Sequence, residues 1–600
     1  MGGNSPRIRS PLRGRSRAVP ASPVRRSAGV ELRPISARRR TSLSRERAVL
    51  RGSAPGVSAA AETSAIDLYS GIGGWTLGLG MAGIRTLASF EWWGPANRTH
   101  ARNFGREFPE VDIRRLDPRS LPAGVDMIVG SPPCTQFSFS NRGGGGDIAD
   151  GLRDVAKFLE IVAHLRPRHW VMENVPRVAG ILERELGFGG ELQQFASLVK
   201  TIAVVDMADF GLPQSRRRML AGDFPLDVLM SYRPSLPRRT LGEVITALAS
   251  DPVRDPIYGI ELERERVSGL ELEPVLTEEE VRMNSEAKCF HPIYNRMSFP
   301  DRLDRPARTV TATCTRVSRE SIVIAAPGEP GHFRRLTLRE RASLQGFPIT
   351  FQFWGSSHSE NLTLVGNALP PLMSYYVAHS LLHTAAEKMP VLSESYRGDP
   401  SARAPAAVDV TVARRYPRRR RFRAAIPHLR FGSGTRFELV NDSAEASVSW
   451  GVNFYFGTSK RIGTVILGAE LLERLLGRFP VYEDELLSSV RPLEDRLRAT
   501  SPADLQEVWS HRATGVQPFE VVDDLGRAAK RLFGSIGDSD SDAIACVQEY
   551  LEKASGASAN RGRQKIARNA GWILAGFLVC SWFNSRSAIA RSRNTLPLAG

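Results

Sequence analysis

The sequence predicts an α/β fold with a parallel central sheet, followed by a separate α+β unit. Three observations carry this. Between residues 64 and 174, short apolar runs alternate with segments of helical periodicity. Glycines or prolines follow two of those runs directly, where a sheet presents its C-terminal edge. A Ser-, Ala- and Pro-rich stretch over 390–412 then separates this part from a segment that reads strands first and helices later.

Ala65–Tyr69 is a short apolar run ending at a glycine-rich turn, and a helix follows from about Trp75 to Ala82. Thr86–Glu91 reads as a second strand, with Asp126–Gly130 and His169–Asn174 as two more. Between the last two, Leu152–Leu165 places apolar residues at helical spacing. Residues 222–333 are rich in Pro and Arg without clear alternation and read as a smaller inserted region. Helix-and-loop character returns from about 334 to 388. The predicted organisation is therefore 1–63 as a disordered segment, 64–221 and 334–388 as one domain interrupted by 222–333, 389–423 as a linker with a basic run, and 424–590 as a further domain.

The chain has 600 residues and a formal charge of +17, from 81 Lys and Arg against 64 Asp and Glu. That balance favours polyanionic partners, nucleic acid above all. Residues 1–51 hold 14 Arg, no Lys and two acids, Glu31 and Glu46. Such a segment buries too little apolar surface to offset chain entropy. Its composition suits an organellar transit peptide, a nucleic-acid-binding tail or translated sequence upstream of the true start, and does not separate them. Five scattered cysteines (Cys134, Cys289, Cys314, Cys546, Cys580) exclude a disulfide framework, and no CxxC pair offers a zinc site. A reducing, intracellular compartment follows. The longest apolar stretch, Trp572–Phe583, suits a buried helix better than a membrane span. The acidic clusters Asp523-Asp524 and Asp538–Asp542 read mostly as solvated loops, with a metal site as the weaker reading.

Four segments could carry chemistry. In Asp67-Leu-Tyr69-Ser-Gly71-Ile-Gly73-Gly74 a strand runs into glycines that let a ligand approach the backbone and a helix N-terminus. Glu91 closes the next strand about twenty residues later, where a carboxylate can accept ribose hydroxyls. Thr76 stands where a dinucleotide fingerprint has its last glycine, so a nucleoside without pyrophosphate fits better; a tight strand–helix turn would show the same residues. In Gly130-Ser-Pro132-Pro133-Cys134 two prolines fix a cysteine at the sheet edge, and Asn141–Gly146 follows as a flexible segment able to close over a substrate. Cys134 is the obvious nucleophile. Glu173-Asn174-Val175-Pro176 ends a strand, and Glu173, if buried there, could donate a proton near neutral pH; an exposed strand-end acid is an equally good reading. Arg216 and Arg218, two apart in Gln214-Ser-Arg-Arg-Arg, share one face of an extended segment and suit phosphate or a polarised carbonyl; a solvated basic strand is the plainer reading.

In this order the four segments resemble the cytosine-C5 DNA methyltransferases. Arg335-Leu-Thr-Leu-Arg339-Glu340 through Pro348 and Gly366-Asn367-Ala-Leu-Pro370-Pro371 add two further matching blocks, and Arg305–Thr313 resembles a stretch found before the first of these. The resemblance covers about 64–385 and implies a Rossmann-like, S-adenosylmethionine-dependent sheet with 222–333 as target recognition region. It implies that Cys134 attacks cytosine C6, that Glu173 holds the ring at N3 and the amino group, and that Arg216 contacts the base O2 and the thiolate's surroundings, supported by Arg218. Asp67, Tyr69, Gly71, Gly73, Glu91, Trp92, Pro133 and Asn367 would belong to the cofactor site, with Asp117, near the end of the third strand, as the adenine contact. Neighbouring arginines would help ionise the thiol. Two departures stand out: Thr135 follows the nucleophile where Gln is usual, and Tyr69 replaces Phe.

The implied partner is double-stranded DNA, with the base flipped out of the stack. The implied setting is a bacterial restriction-modification or orphan enzyme in the cytoplasm, at the nucleoid while acting, with a cognate restriction endonuclease as a separate partner on the same site. A tRNA cytosine-C5 methyltransferase and a catalytically silent DNA-binding protein are the alternatives. The resemblance names no role for residues 389–600.

Overall fold

A computed structural model describes residues 63–137, 147–289, 297–396, 416–431, 434–442, 448–458, 461–537, 541–555 and 566–593, with 405 and 408–410. The predicted disordered segment (all but its last residue), the Asn141–Gly146 loop and residues 538–540 of the second acidic cluster lie outside the described residues.

The chain opens with β1 (Ser64–Leu68), α1 (Gly74–Met81), β2 (Arg85–Phe90), α2 (Gly94–Phe104), β3 (Met127–Gly130), α3 (Ile148–Leu165) and β4 (His169–Asn174). Then come α4 (Arg177–Leu186), β5 (Thr201–Asp206) and β6 (Arg217–Asp223). These strands form one six-stranded sheet in the order β2-β1-β3-β4-β6-β5. The four strands read from the sequence pair parallel, as expected, and β6, outside that reading, runs the other way. β1 pairs parallel with β2 and β3, and β3 with β4, but β6 is antiparallel to both β4 and β5. The reversal follows from a short connection: Met207–Phe210 and a left-handed Gly211 turn the chain back beside β5, with no helix to carry a crossover.

The interior strands are apolar on both faces, as a sheet covered on both sides requires. One core layer takes Ile66, Ile128, Phe158, Trp170 and Met172, under α3 and α4. The other takes Trp75, Val129, Val171 and Leu220.

The second layer continues into α5 (Leu226–Ser231) and α6 (Leu241–Ala249). Leu229, Tyr232, Leu241 and Val244 share its core with Tyr375 and Tyr376 of a later helix. The expected boundary at 221/222 therefore falls inside β6, and the start of the inserted region packs as part of the first domain. Apolar periodicity gives no warning, because Pro and Arg dominate the composition there. Two short pairs follow, β7 (Val253–Arg254) with β8 (Glu261–Leu262) and β9 (Val323–Ala325) with β10 (Phe333–Arg335), around α7 (Glu278–Cys289).

The return segment comprises α8 (Leu338–Leu344), α9 (His358–Asn367), α10 (Pro371–Leu381) and α11 (Leu392–Ser395). Thr337 and Glu340 form a capping box that starts α8, a local reason for the Leu-Thr-Leu-Arg-Glu pattern. Helix α10 lies directly on α1: a Cβ on Gly74 would fall on the Leu369 carbonyl, and one on Gly78 on Ser374 and the Pro371 carbonyl.

The last domain is a consecutive antiparallel sheet of β11 (Arg423–Arg430), β12 (Arg436–Asp442), β13 (Ser449–Thr458) and β14 (Arg461–Ile466). Helices α12 (Ala469–Arg478), α13 (Glu483–Arg498), α14 (Pro502–Trp509), α15 (Pro518–Ile536), α16 (Ser541–Ser555) and a final helix, Ala570–Arg593, complete it. Its own core unites Phe437, Phe454, Trp509, Leu525 and Phe577. Trp572–Phe583 does lie in a helix packed on this core, and among the described residues no helix is long and apolar enough to cross a membrane. The linker reading of 389–423 is corrected at its end. Arg420 and Phe422 are buried in this domain, because Arg420 finds two aromatic faces and an acid, and Phe422 packs against Trp450 and Trp509. Asp523 and Asp524 pair with Arg282, Arg496 and Arg527, so arginine already engages the first acidic cluster.

Candidate active site

Strand order brings the polar ends of β1, β2, β3 and β4 to one edge of the sheet. Cys134 lies just beyond β3, in a turn closed by a bond from the Phe137 amide to its carbonyl (3.0 Å). The Pro-Pro lead is held from two sides. Asn174 Nδ2 donates to the Pro132 carbonyl (3.1 Å), and the Trp75 indole donates to Ser131 Oγ (3.1 Å). Glu173, one residue from the end of β4, is buried and takes Arg218 Nε onto one carboxylate oxygen at 2.9 Å.

Arg216 is 3% exposed. Its guanidinium donates to the carbonyls of Val310 (3.1 Å), Gly366 (3.3 Å) and Ala368 (3.2 Å), and its amide donates to Asp206 (3.0 Å). Nε has no partner. Arg216 thus ties β6 to two segments far downstream, around Val310 and around Gly366. Arg217 between the two is exposed, so the alternation expected of an extended segment holds. Arg218, however, supports the Glu173 carboxylate by direct pairing.

Cys134 is half-buried, and the charges of Glu173, Arg218 and Arg216 all reach its sulfur. Burial pushes the thiol pKa up, Glu173 adds to the rise, and the two arginines oppose it without winning. The arginines do favour ionisation of this thiol, as expected, but desolvation outweighs them. Burial and Arg218 together draw Arg216 down to about 9.

The second half of the site surrounds the β1–α1 turn. Tyr69 and Gly71 adopt left-handed φ of 56° and 55°, and a Cβ on Gly71 would meet nothing within 4 Å, so the backbone faces open space there. Gly73, at φ 93°, is closed instead: a Cβ would fall on the rings of Phe104 and His100. Tyr69 OH donates to Asp154 Oδ1 (3.2 Å), tying the turn to α3. Glu91 accepts the Gly71 amide (2.9 Å) on one oxygen and the Trp92 (2.9 Å) and Trp93 (2.8 Å) amides on the other, while burial pushes its carboxyl up. Asp67 is fully buried and pushed up to about 8 by desolvation. Thr76 donates to its Oδ2 at 2.9 Å, and Oδ1 has no partner. Trp92 is 62% exposed, Asn367 is exposed at the end of α9 and Pro133 is half-buried.

Asp117 is corrected in place. It lies in the loop before β3, capping the short turn Pro118–Ser120 and pairing with Arg119 at 3.2 Å. It precedes the strand because the apolar run that forms β3 starts only at Met127.

The residue types fit a nucleoside-bearing ligand with a cationic end. An orphaned buried carboxylate oxygen, an open glycine turn and an exposed indole lie around one sheet edge. Sequence reasoning missed the residues that hold Arg216 in place. Gln214 donates to Leu344 and Gln345 and accepts the Val310 amide (2.6 Å), and Asp206 fixes Arg216. Gln214 stood inside a quoted motif and Asp206 in no motif at all.

A sequence model of the C-5 cytosine-specific DNA methylase family matches residues 63–383. The chain belongs to that family. The methylase is 28% identical over 343 residues to the Type II methyltransferase M.HindV of Haemophilus influenzae, covering 55% of this chain and 98% of the relative. To the Type II methyltransferase M.AplI of Arthrospira platensis it is 29% identical over 334 residues, covering 54% and 86%. The solved S. pombe Dnmt2 methyltransferase aligns at 18% identity and a TM-score of 0.38, over 54% of this chain and 98% of that one. The methylase is thus an enzyme of the DNA cytosine-5-methyltransferase class, and family membership implies use of S-adenosylmethionine. Residues 384–600 lie outside the family match.

Proposed function

We propose that this enzyme methylates C5 of cytosine in double-stranded DNA, as a restriction-modification or orphan methyltransferase, through a covalent bond between Cys134 Sγ and cytosine C6. The observation that carries the reading is the Arg218–Glu173 pair at 2.9 Å within electrostatic reach of the Cys134 thiol. S-adenosylmethionine, when bound, supplies the methyl group. Glu91 would hold its ribose, Trp92 would cover its base, and Asp67 with the Gly71 turn would take its amino-acid end. Tyr69, Gly73, Pro133 and Asn367 would complete that pocket.

An extruded cytosine would meet Glu173 at N3 and the amino group, and Arg216, through its free Nε side, at O2. Cys134 gives up its proton to water as its sulfur bonds to C6, and the electron pair of the C5–C6 double bond moves to C5. C5 accepts the methyl group and then loses its proton, the electron pair re-forms the ring double bond, and the sulfur leaves. The raised thiol pKa has a consequence for this sequence: the nucleophile is stored protonated, and ionisation accompanies arrival of the base.

A duplex carrying 5-fluorocytosine at target positions tests the covalent step. Because fluorine cannot leave C5 as a proton does, a protein–DNA species resistant to denaturation is expected. Its absence on a duplex whose unmodified form is methylated would refute the mechanism. Methyl transfer to duplex DNA but not to tRNA is expected, and bisulfite sequencing of DNA from a host expressing the chain would give the target.

A further inference from the structure

The C-terminal domain is fixed to the recognition region, with a row of unpaired arginines at the junction. Helix α7 of the recognition region is held by it at three points. Arg282 forms a two-pronged pair with Asp523 (2.7 and 3.0 Å) and lies over the Phe519 ring, 4.3 Å from its centre. Glu279 takes Arg420 (2.8 Å) and His511 (3.2 Å), and Glu286 takes Arg430.

The chain entering β11 is pinned by its backbone. Gln506 Nε2 donates to the carbonyls of Arg418 (2.8 Å) and Arg420 (3.1 Å), Asn441 Nδ2 to that of Arg420 (2.8 Å), and the Trp509 indole to that of Arg421 (3.2 Å). Arg420 itself is clamped between the rings of Tyr416 (3.8 Å) and Trp509 (3.7 Å). With Arg420, Phe422 and Ala424 facing inward, Arg421 and Arg423 face outward, and Arg418 and Arg419 are exposed at the turn before them.

Carboxylates of the neighbourhood are already engaged. Glu438 is taken by Arg423 and Arg436, and Glu286 by Arg430. Arg418, Arg419 and Arg421 have no carboxylate partner among the described residues.

The row also borders the recognition region. Arg421 and Arg423 line a cavity of about 290 Å³ together with Val317 and Met283. Val317 lies three residues past Cys314, on the segment whose Val310 carbonyl holds Arg216 and whose Ala312 abuts Gly366.

We infer that Arg418, Arg419 and Arg421 form a phosphate-binding edge that extends the enzyme's hold on duplex DNA beyond the target site. The inference rests on the proposed duplex substrate. Guanidinium is suited to phosphate oxygens, and contacts to phosphate position a backbone without reading bases. Rigid backbone placement lowers the ordering cost that a floppy basic linker would incur on binding.

The test uses the full chain, without methyl donor, and a random-sequence duplex of about forty base pairs, long enough to run past one protein footprint. Wild type is compared with R418Q/R419Q/R421Q, and with R474Q/R491Q/R498Q, which removes the same charge from helices α12 and α13. Each phosphate contact contributes about 0.9 to the slope of log affinity against log salt, so the first variant should flatten the slope by about 2.7 and the second should leave it unchanged. A first-variant slope equal to wild type overturns the inference, and so does an equal loss in both variants, which would report net charge alone. The substituted side chains are exposed, and unchanged circular dichroism would confirm folding. Because no methyl transfer is read, failure of the proposed catalysis would leave this result standing.

Discussion

Two buried arginines, one in each domain, show how differently the two regions use charge. Arg216 in the methylase domain spends its donors on three backbone carbonyls and keeps Nε without a partner, close to a thiol and a carboxylate. Arg420 in the C-terminal domain lies between two aromatic faces, with a carbonyl and Glu279 on its remaining donors. The first is an incomplete site, costly to bury until a ligand arrives. The second is a complete structural joint. Asp67 repeats the first pattern, with a fully buried carboxyl and one orphaned oxygen. The lesson is that burial alone does not mark function: both arginines are buried, and the unpartnered atoms of Arg216 and Asp67 matter because they lie with a thiol, a carboxylate and an open glycine turn.

The sharpest break of this contrast is at the sulfur. Cys134→Ser should drop methyl transfer below detection, since a hydroxyl is far less able to ionise in the same desolvated place. Cofactor affinity, followed by calorimetry, should stay within a factor of about two, well under the 1.4 kcal/mol that a tenfold change would represent. Next comes Glu173→Gln, which removes the charge Arg218 holds and the acceptor-donor chemistry at the ring. A loss of about 10²–10⁴ in kcat is expected. Retention of turnover in single-turnover assays would take Glu173 out of the reacting centre.

How far the sequence revealed all this differs along the chain. β4 is found at His169–Asn174 as expected, because a continuous apolar run bounded by an acid and a proline reads clearly. The segment after Asp206 was not legible, since β6 begins in arginines and its apolar part, Met219–Ala221, is too short to show a period. Cys134, Glu173 and Arg216 were visible as motif residues, and the structure brings them together. The supporting roles of Gln214, Asp206 and Asn174 were not, because they act through bonds to other segments of the chain, and no local pattern signals such a bond. In the C-terminal domain the strand and helix order could be read, but Arg420 could not be distinguished from its exposed neighbours within one basic run.

A stability comparison of the two arginines sharpens the contrast further. Arg216→Met strands three carbonyls in a dry interior, and Arg420→Met strands the Trp509 carbonyl, leaves Glu279 with His511 alone and loses two ring contacts. Each should cost about 2–4 kcal/mol, at the upper part of the range for breaking a buried hydrogen-bonded group. They should differ in ligand response. Cofactor plus duplex DNA should stabilise the Arg420 variant as it does wild type and the Arg216 variant less, measured as a shift in Tm.

Asp67 gives a pH test of intermediate size. Its folded pKa, about 8, lies above the ordinary carboxyl value of 3.8, so between those values the folded chain holds a proton that the unfolded chain releases. Stability from this group is complete below about pH 4 and is lost as pH rises toward 8, at no more than about 1.4 kcal/mol per pH unit. Wild-type Tm should therefore fall more steeply from pH 5 to pH 8 than that of Asp67→Asn. Parallel curves would mean that Asp67 is charged in the folded enzyme.

The smallest effect is expected at the joint between the regions. Arg282→Ala removes the pair to Asp523 and the contact with Phe519. Both members of the pair are about a third exposed, so water screens them and the loss should be about 0.5–1 kcal/mol. Roughly half of the ionic part should vanish at high salt, because exposed pairs are screened over about 3 Å at 1 M. Glu279 and Glu286 still hold α7 in this variant, so methyl transfer on a short duplex should stay near wild type. The salt slope on the long duplex is the discriminating reading: if the C-terminal arginines must be held in place to meet phosphate, loosening their attachment should flatten it slightly, and an unchanged slope would show that the remaining ion pairs suffice to place them.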